Sequence, residues 1–135
     1  MRYRAATGSV SQTREAFGTR VRYRFLWISD GAGDALARVA FDMSGETAEE
    51  VEFCHTSNGS ETYAVTLIDD VDMDWLAGLG SGKSTNATTR AALVEVTVSS
   101  AESRPAPLPS GLWLKVDCSA SAERSGSVDI WTRVR

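Results

Sequence analysis

The stretch that decides the fold is Thr19-Arg20-Val21-Arg22-Tyr23-Arg24-Phe25-Leu26-Trp27-Ile28-Ser29. Val21, Tyr23, Phe25 and Trp27 fall on one parity, and Arg20, Arg22, Arg24 and Leu26 on the other. Successive side chains of a β-strand point to opposite faces. An alternation of β-branched and aromatic residues with charged ones therefore marks a strand with one buried face. The Asp30-Gly31-Ala32-Gly33-Asp34 run that follows reads as a turn.

Beyond it, Ala35 to Met43, with Leu36, Val39 and Phe41, fits a strand or a short helix, the strand being favoured, and 45–50 reads as an acidic loop. Val51 to His55 is a short strand, and Ser57-Asn58-Gly59-Ser60 a turn. Tyr63 to Ile68 is the clearest central strand. The acidic, then glycine-rich connection of 69–82 places Met73, Trp75, Leu76 and Leu79 at the spacing of one helical turn. Ala91 to Ser99 is strand-like. Pro105, Pro107 and Pro109 remove backbone donors and favour an extended loop. Leu112, Leu114 and Val116 alternate with Trp113, Lys115 and Asp117, and Val128, Ile130, Thr132 and Val134 with Asp129, Trp131 and Arg133. The two segments read as paired antiparallel strands.

Residues 1–18 are rich in Ser, Thr, Gly and Arg without a period, and read as an N-terminal arm ordered by a partner. Residues 19–135 form a single domain. About seven or eight short strands with turns between them, and no long amphipathic helix, predict an all-β fold: an antiparallel β-sandwich or jelly roll.

The 135 residues suit one core that needs neither metal nor disulfide. A net charge of -4 argues against a nucleic-acid partner and against anionic membranes. No apolar run approaches a membrane span, and no apolar segment follows the basic residues of 1–8, so synthesis in a cytosol is expected. Cys54 and Cys118 fit no metal-ligand spacing and read as small buried hydrophobes, with a disulfide as the lesser alternative.

Four constellations are tested for chemistry. Gly78-Leu79-Gly80-Ser81-Gly82-Lys83-Ser84-Thr85 approaches a phosphate-binding loop, but Ala77 stands where the first glycine belongs and Asp69, Asp70, Asp72 and Asp74 crowd the approach. Those aspartates also suggest a calcium loop, yet Trp75 and Ser81 occupy the positions that need glycine and glutamate, so turn and capping roles fit better. His55 is the sole histidine, and its neighbour Cys54 faces the other way on a strand, which argues against a nucleophile pair. No catalytic, cofactor-binding or metal-ligating residue is assigned. The tryptophans are the more informative feature. If Leu112, Leu114, Val128 and Ile130 face the core, Trp113 and Trp131 face outward, as partner contacts, as sugar platforms or as ordinary packing within a two-layer fold.

The segments Tyr63-Ala64-Val65-Thr66-Leu67-Ile68-Asp69 and Asp74-Trp75-Leu76-Ala77-Gly78 are followed by the polar residues 84–89. After these come Gly111-Leu112-Trp113-Leu114-Lys115-Val116 and Ser125-Gly126-Ser127-Val128-Asp129-Ile130-Trp131. Together this C-terminal half resembles small structural proteins of tailed bacteriophages, the decoration, collar and tail-associated β-proteins. Val71-Asp72 departs from the pattern, which has an acidic-glycine turn there. The resemblance implies a non-enzymatic virion component. Its partners would be capsid, collar or tail proteins and copies of itself, as a homo-oligomer, in a particle assembled from protein made in the host cytoplasm. Arg20, Arg22, Arg24, Trp113 and Trp131 are the candidate interface, the arginines either meeting an acidic shell or forming a solvated strand face. The alternative is a carbohydrate-binding module for host attachment, with Trp113 or Trp131 as platform and the aspartates of 69–74 nearby.

Overall fold

A computed structural model describes residues 5–55, 61–84, 88–92, 96–99, 102–104, 107–119 and 122–134. Every regular element among them is a β-strand, and seven strands have five or more residues. These are β1 (Ser9–Phe17), β2 (Arg20–Ile28), β3 (Asp34–Arg38), β4 (Thr47–His55), β5 (Thr62–Ile68), β10 (Trp113–Cys118) and β11 (Ser125–Arg133). The short strands are β6 (Lys83–Ser84), β7 (Thr89–Ala92), β8 (Val96–Ser99) and β9 (Glu102–Arg104). One antiparallel sheet has the order β1-β2-β11-β4-β7 and the other β3-β10-β5-β6, while β8 and β9 pair alone. The fold is an all-β sandwich.

The period-two reading of β2 holds. Val21, Tyr23, Phe25 and Trp27 are buried, as are Val128 and Ile130 of β11 and Val51 and Phe53 of β4. Against them pack Tyr63, Val65 and Leu67 of β5, Leu114, Val116 and Cys118 of β10, and Ala35 of β3. Each large side chain removed from water contributes roughly 2–3 kcal/mol. Trp27 and Tyr63 meet across the sheets at 5.3 Å between ring centroids. Trp27 also lies over Gly126, where a Cβ would come within 2.6 Å of the indole and 2.8 Å of the Cys54 carbonyl oxygen.

Four expectations are corrected. Residues 9–17, read as part of an irregular arm, form a nine-residue strand paired with β2 along its whole length. Gly18 alone of the two loop residues has a left-handed φ, 66°, the type II′ pattern whose twist suits a hairpin. The alternation was hidden because β1 places Gln12 and Arg14, not apolar residues, on its inner face. Second, β10 and β11 do not pair with each other. β10 lies between β3 and β5, and β11 between β2 and β4, so the two strands belong to opposite sheets. Their identical alternation reflects a shared core, not a shared ladder. Third, β4 begins at Thr47, inside the stretch read as an acidic loop. Fourth, residues 69–82 form successive turns instead of a helical turn. Part of Ala91–Ser99 and of the proline segment lies outside the described residues.

The chain changes sheets at Gly8. Thr7 exchanges backbone hydrogen bonds with Leu36 of β3 (3.0 and 2.9 Å), while Ser9 pairs with Ile28 of β2. Gly8 has φ 61°, and a Cβ there would sit 2.5 Å from Ile28 O and 2.9 Å from Asp34 O. Only glycine fits both the dihedral and the space.

Candidate functional site

On the outer face of the five-stranded sheet the register sets Glu15, Arg22, Trp131 and Glu50 in one cross-strand row. Phe17, Arg20 and Arg133 form the row beside it, and Thr13, Arg24, Asp129 and Glu52 the row on its other side. The Arg20 guanidinium lies 4.6 Å from the Trp131 ring centroid, and that of Arg22 lies 5.6 Å away. Phe17 approaches the same indole at 5.7 Å between centroids. Arg24 donates from Nε and Nη2 to the two oxygens of Asp129, both at 2.9 Å, which raises the Arg24 pKa. Arg22 donates to Glu15, and Arg133 to Glu49. Arg20 Nε stands 3.4 Å from the other Glu49 oxygen.

A β-bulge makes the Glu49 contacts possible. Trp131 pairs with Glu50 and Thr132 with Ala48, so Glu49 is the extra residue. Such a bulge re-aims a side chain, and here the carboxylate reaches both arginines. The exposed pairs of Arg20, Arg22 and Arg133 contribute about 0–1 kcal/mol each, whereas Asp129 is buried and depends on Arg24 to compensate its charge. Arg20, Arg22, Arg24 and Trp131 are therefore brought together, but the arginines already have acidic partners within the chain. Glu15, Phe17, Glu49 and Asp129 complete the plate and were not singled out from sequence. The alternating signs of β1 and β2 around Gly18 are the signal that would have found Glu15 and Phe17.

The same face continues to a less polar end. Leu26 and Ile28 are 48% and 42% exposed. Ser9, Ser11, Ser125 and Ser127 flank them in register. Trp113 stands elsewhere. It is half-buried on the outer face of the other sheet, between Arg38 and Ile68 in register, so the two tryptophans do not share a platform.

The other constellations resolve locally. Asp69 accepts the amides of Val71 and Met73 and the Trp75 indole N–H. Burial pushes its carboxyl up, but the indole and amide donors outweigh this and hold it below its usual range. Asp74 accepts the amides of Leu67, Leu76 and Gly78. These carboxylates shape the loop, in which Asp72 and Ala77 take left-handed φ values. The glycine run leads into the short strand β6, where the Lys83 ammonium lies 5.0 Å from the Phe53 ring centroid, and no helix follows among the described residues. Thr85 lies outside them. His55 ends β4, and its side chain lies outside the described residues. Cys54 and Cys118 are free, and burial raises both thiol pKa values.

A buried polar cluster escaped the sequence reading. Glu46 is 8% exposed. Tyr23 Oη donates to its carboxylate at 2.7–2.8 Å and Thr132 Oγ1 at 2.5 Å. Arg14 Nε donates in turn to Tyr23 Oη at 3.4 Å. Burial first, and the bond to Glu46 second, push the Tyr23 phenol up to about 12. The cluster ties β1, β2 and β11 to the chain entering β4.

The chain matches no protein-family model, no curated protein and no solved structure. What the fold and site define is therefore a class: an antiparallel β-sandwich whose five-stranded sheet carries an internally paired arginine–aromatic plate.

Proposed function

We propose that the chain is a non-enzymatic structural component of a tailed-phage virion. It would be a capsid decoration or cement protein, or a collar or tail-associated one, binding other viral structural proteins and copies of itself. The phage assignment draws on the sequence resemblance. The observation that supports a contact role is the outer face of the five-stranded sheet. There a plate of Phe17, Arg20, Arg22, Arg24 and Trp131, held by stacking and ion pairs, adjoins exposed Leu26 and Ile28. Side chains already held in place lose little entropy on docking, and aromatic and arginine residues dominate protein interfaces. Repetition on a symmetric particle lets weak contacts add.

The carbohydrate reading has less support. Arg20 lies over the Trp131 ring a sugar would need, and Asp69 and Asp74 spend oxygens on loop amides. The test is immunogold labelling of particles released from cells that carry the gene, using antibodies to the purified chain, alongside a glycan array. Labelled particles and a silent array support the reading. Unlabelled particles and specific glycan binding overturn it.

A further inference from the structure

The two sheets treat their edges differently. The β3 edge is covered. Thr7 exchanges both backbone bonds with Leu36, and the Gln12 side-chain amide takes the place of a further strand, donating to Arg38 O (2.9 Å) and accepting from Ala40 N (2.7 Å). The β6 edge is two residues long and the β7 edge four. β1 is nine residues long and, among the described residues, pairs on one side only; it carries no proline, no lysine and no break in register, and its one inward charge, Arg14, is already bonded to Tyr23.

The hairpin sets which groups face out. In a two-residue hairpin the pair flanking the loop, here Phe17 and Arg20, exchanges both hydrogen bonds, and the pattern alternates from there. The odd residues Ser9 to Phe17 thus bond β2, while Val10, Gln12, Arg14 and Ala16 direct their N–H and C=O groups away from the sheet. The strand is also held from beneath. Val10 packs on the core, Gln12 grips the chain after β3, and Arg14 bonds Tyr23. A row of donors and acceptors with no partner among the described residues is a template for another strand.

We propose that this edge pairs antiparallel with β1 of a second copy of the chain, joining two five-stranded sheets into one. The sequence of β1 suits its own copy. A two-fold axis through Thr13 keeps all nine residues paired. It sets Thr13 against Thr13, Gln12 against Arg14, Ser11 against Glu15, Val10 against Ala16 and Ser9 against Phe17. No like charges meet. Any shift of the axis shortens the ladder, and a shift to residue 14 or 15 also sets Arg14 or Glu15 against itself, so this register keeps the most pairs without a charge clash. Pairing also brings two copies of the arginine–aromatic plate onto one continuous surface. The proposal rests on the functional reading only in taking another copy as partner.

The test uses Thr13, whose side chain is exposed and which faces its own copy in a closely spaced, non-hydrogen-bonded pair. The full-length wild type, Thr13→Lys and Thr13→Asp are compared by light scattering and amide hydrogen exchange, with thermal unfolding to verify folding. The wild type is expected to be a dimer or a multiple of it, with the Gln12 and Arg14 amides protected. Each variant alone is expected to lose this association and protection, and an equimolar mixture of the two to restore both. A monomeric wild type, an oligomer indifferent to Thr13→Lys, or a mixture that stays apart overturns the assignment. Labelled particles together with an oligomer indifferent to Thr13→Lys would leave the virion reading standing while removing this edge as its means.

Discussion

The guanidinium of Arg20 lies over the indole of Trp131, 4.6 Å from its centroid, on two neighbouring strands that the alternation of β2 and β11 carries to the same outer face. A second arginine, Arg22, flanks the same ring. The ring is thereby fixed in a surface plate instead of lying open to solvent. Such cation–π contacts contribute about 0.5–1 kcal/mol at exposed sites. Arg20→Ala is expected to cost about that much, and Trp131→Ala about 1–3 kcal/mol because it also removes packing against Phe17. A double-mutant cycle by urea unfolding should give positive coupling between the two positions. Zero coupling contradicts the stacked geometry.

The Glu46 cluster makes a sharper stability prediction. Glu46→Ala strands the buried hydroxyls of Tyr23 and Thr132, each of which then lacks its acceptor. The expected loss is about 2–6 kcal/mol, from roughly 1–3 kcal/mol for each of the two unsatisfied groups. Tyr23→Phe should destabilise for the same reason. Tyr63 is the contrast. Its buried hydroxyl has no hydrogen-bond partner among the described residues, so Tyr63→Phe should be neutral or stabilising. Denaturant midpoints of the three variants check the contrast.

Alkaline pH should act through the same tyrosines. Burial pushes Tyr63 up to about 12, and burial with the Glu46 bond does the same for Tyr23, against about 10 in the unfolded chain. An acid whose folded pKa is raised contributes stability that is complete below the unfolded value and lost as pH rises through the folded one. Stability should therefore fall between pH 10 and about 12. Tryptophan-monitored urea unfolding at pH 8 and pH 11 checks this, and an unchanged midpoint contradicts it.

How much of this was legible in the sequence depended on whether each strand advertised its buried face. β2, β5, β10 and β11 did, because their inward positions are apolar and their outward ones polar. β1 did not, because its inward Gln12 and Arg14 bind polar groups of the chain after β3 and of Tyr23 instead of entering the core. The pairing of strands was hidden for a different reason. β10 and β11 carry the same pattern whether they are neighbours in one sheet or face each other across two, so alternation alone assigned them wrongly to one ladder. The outward direction of Trp113 and Trp131 was readable, but their separation onto opposite sheets followed only from that topology. The Glu46 cluster left no trace, since a buried glutamate looks like a solvated one until its neighbours are placed.

Two glycines separate steric need from conformational habit. A Cβ at Gly80 would fall 2.1 Å from the Val65 carbonyl oxygen, a backbone atom with no freedom to move. Gly80→Ala should cost about 1–3 kcal/mol or more through forced displacement of β5. At Gly31 a Cβ meets nothing within 4 Å. Gly31→Ala should be neutral or stabilise by up to about 1 kcal/mol, by restricting the unfolded chain. Thermal unfolding of the two variants side by side is the check.

The claim that the sandwich works through contacts between protein surfaces is tested most directly by light scattering of the purified chain, with and without calcium. The account predicts a stable oligomer whose mass and melting temperature ignore calcium, because Asp69 and Asp74 already serve the amides of their own loop. A monomer that calcium stabilises would contradict it and bring glycan binding at the acidic loop to the front.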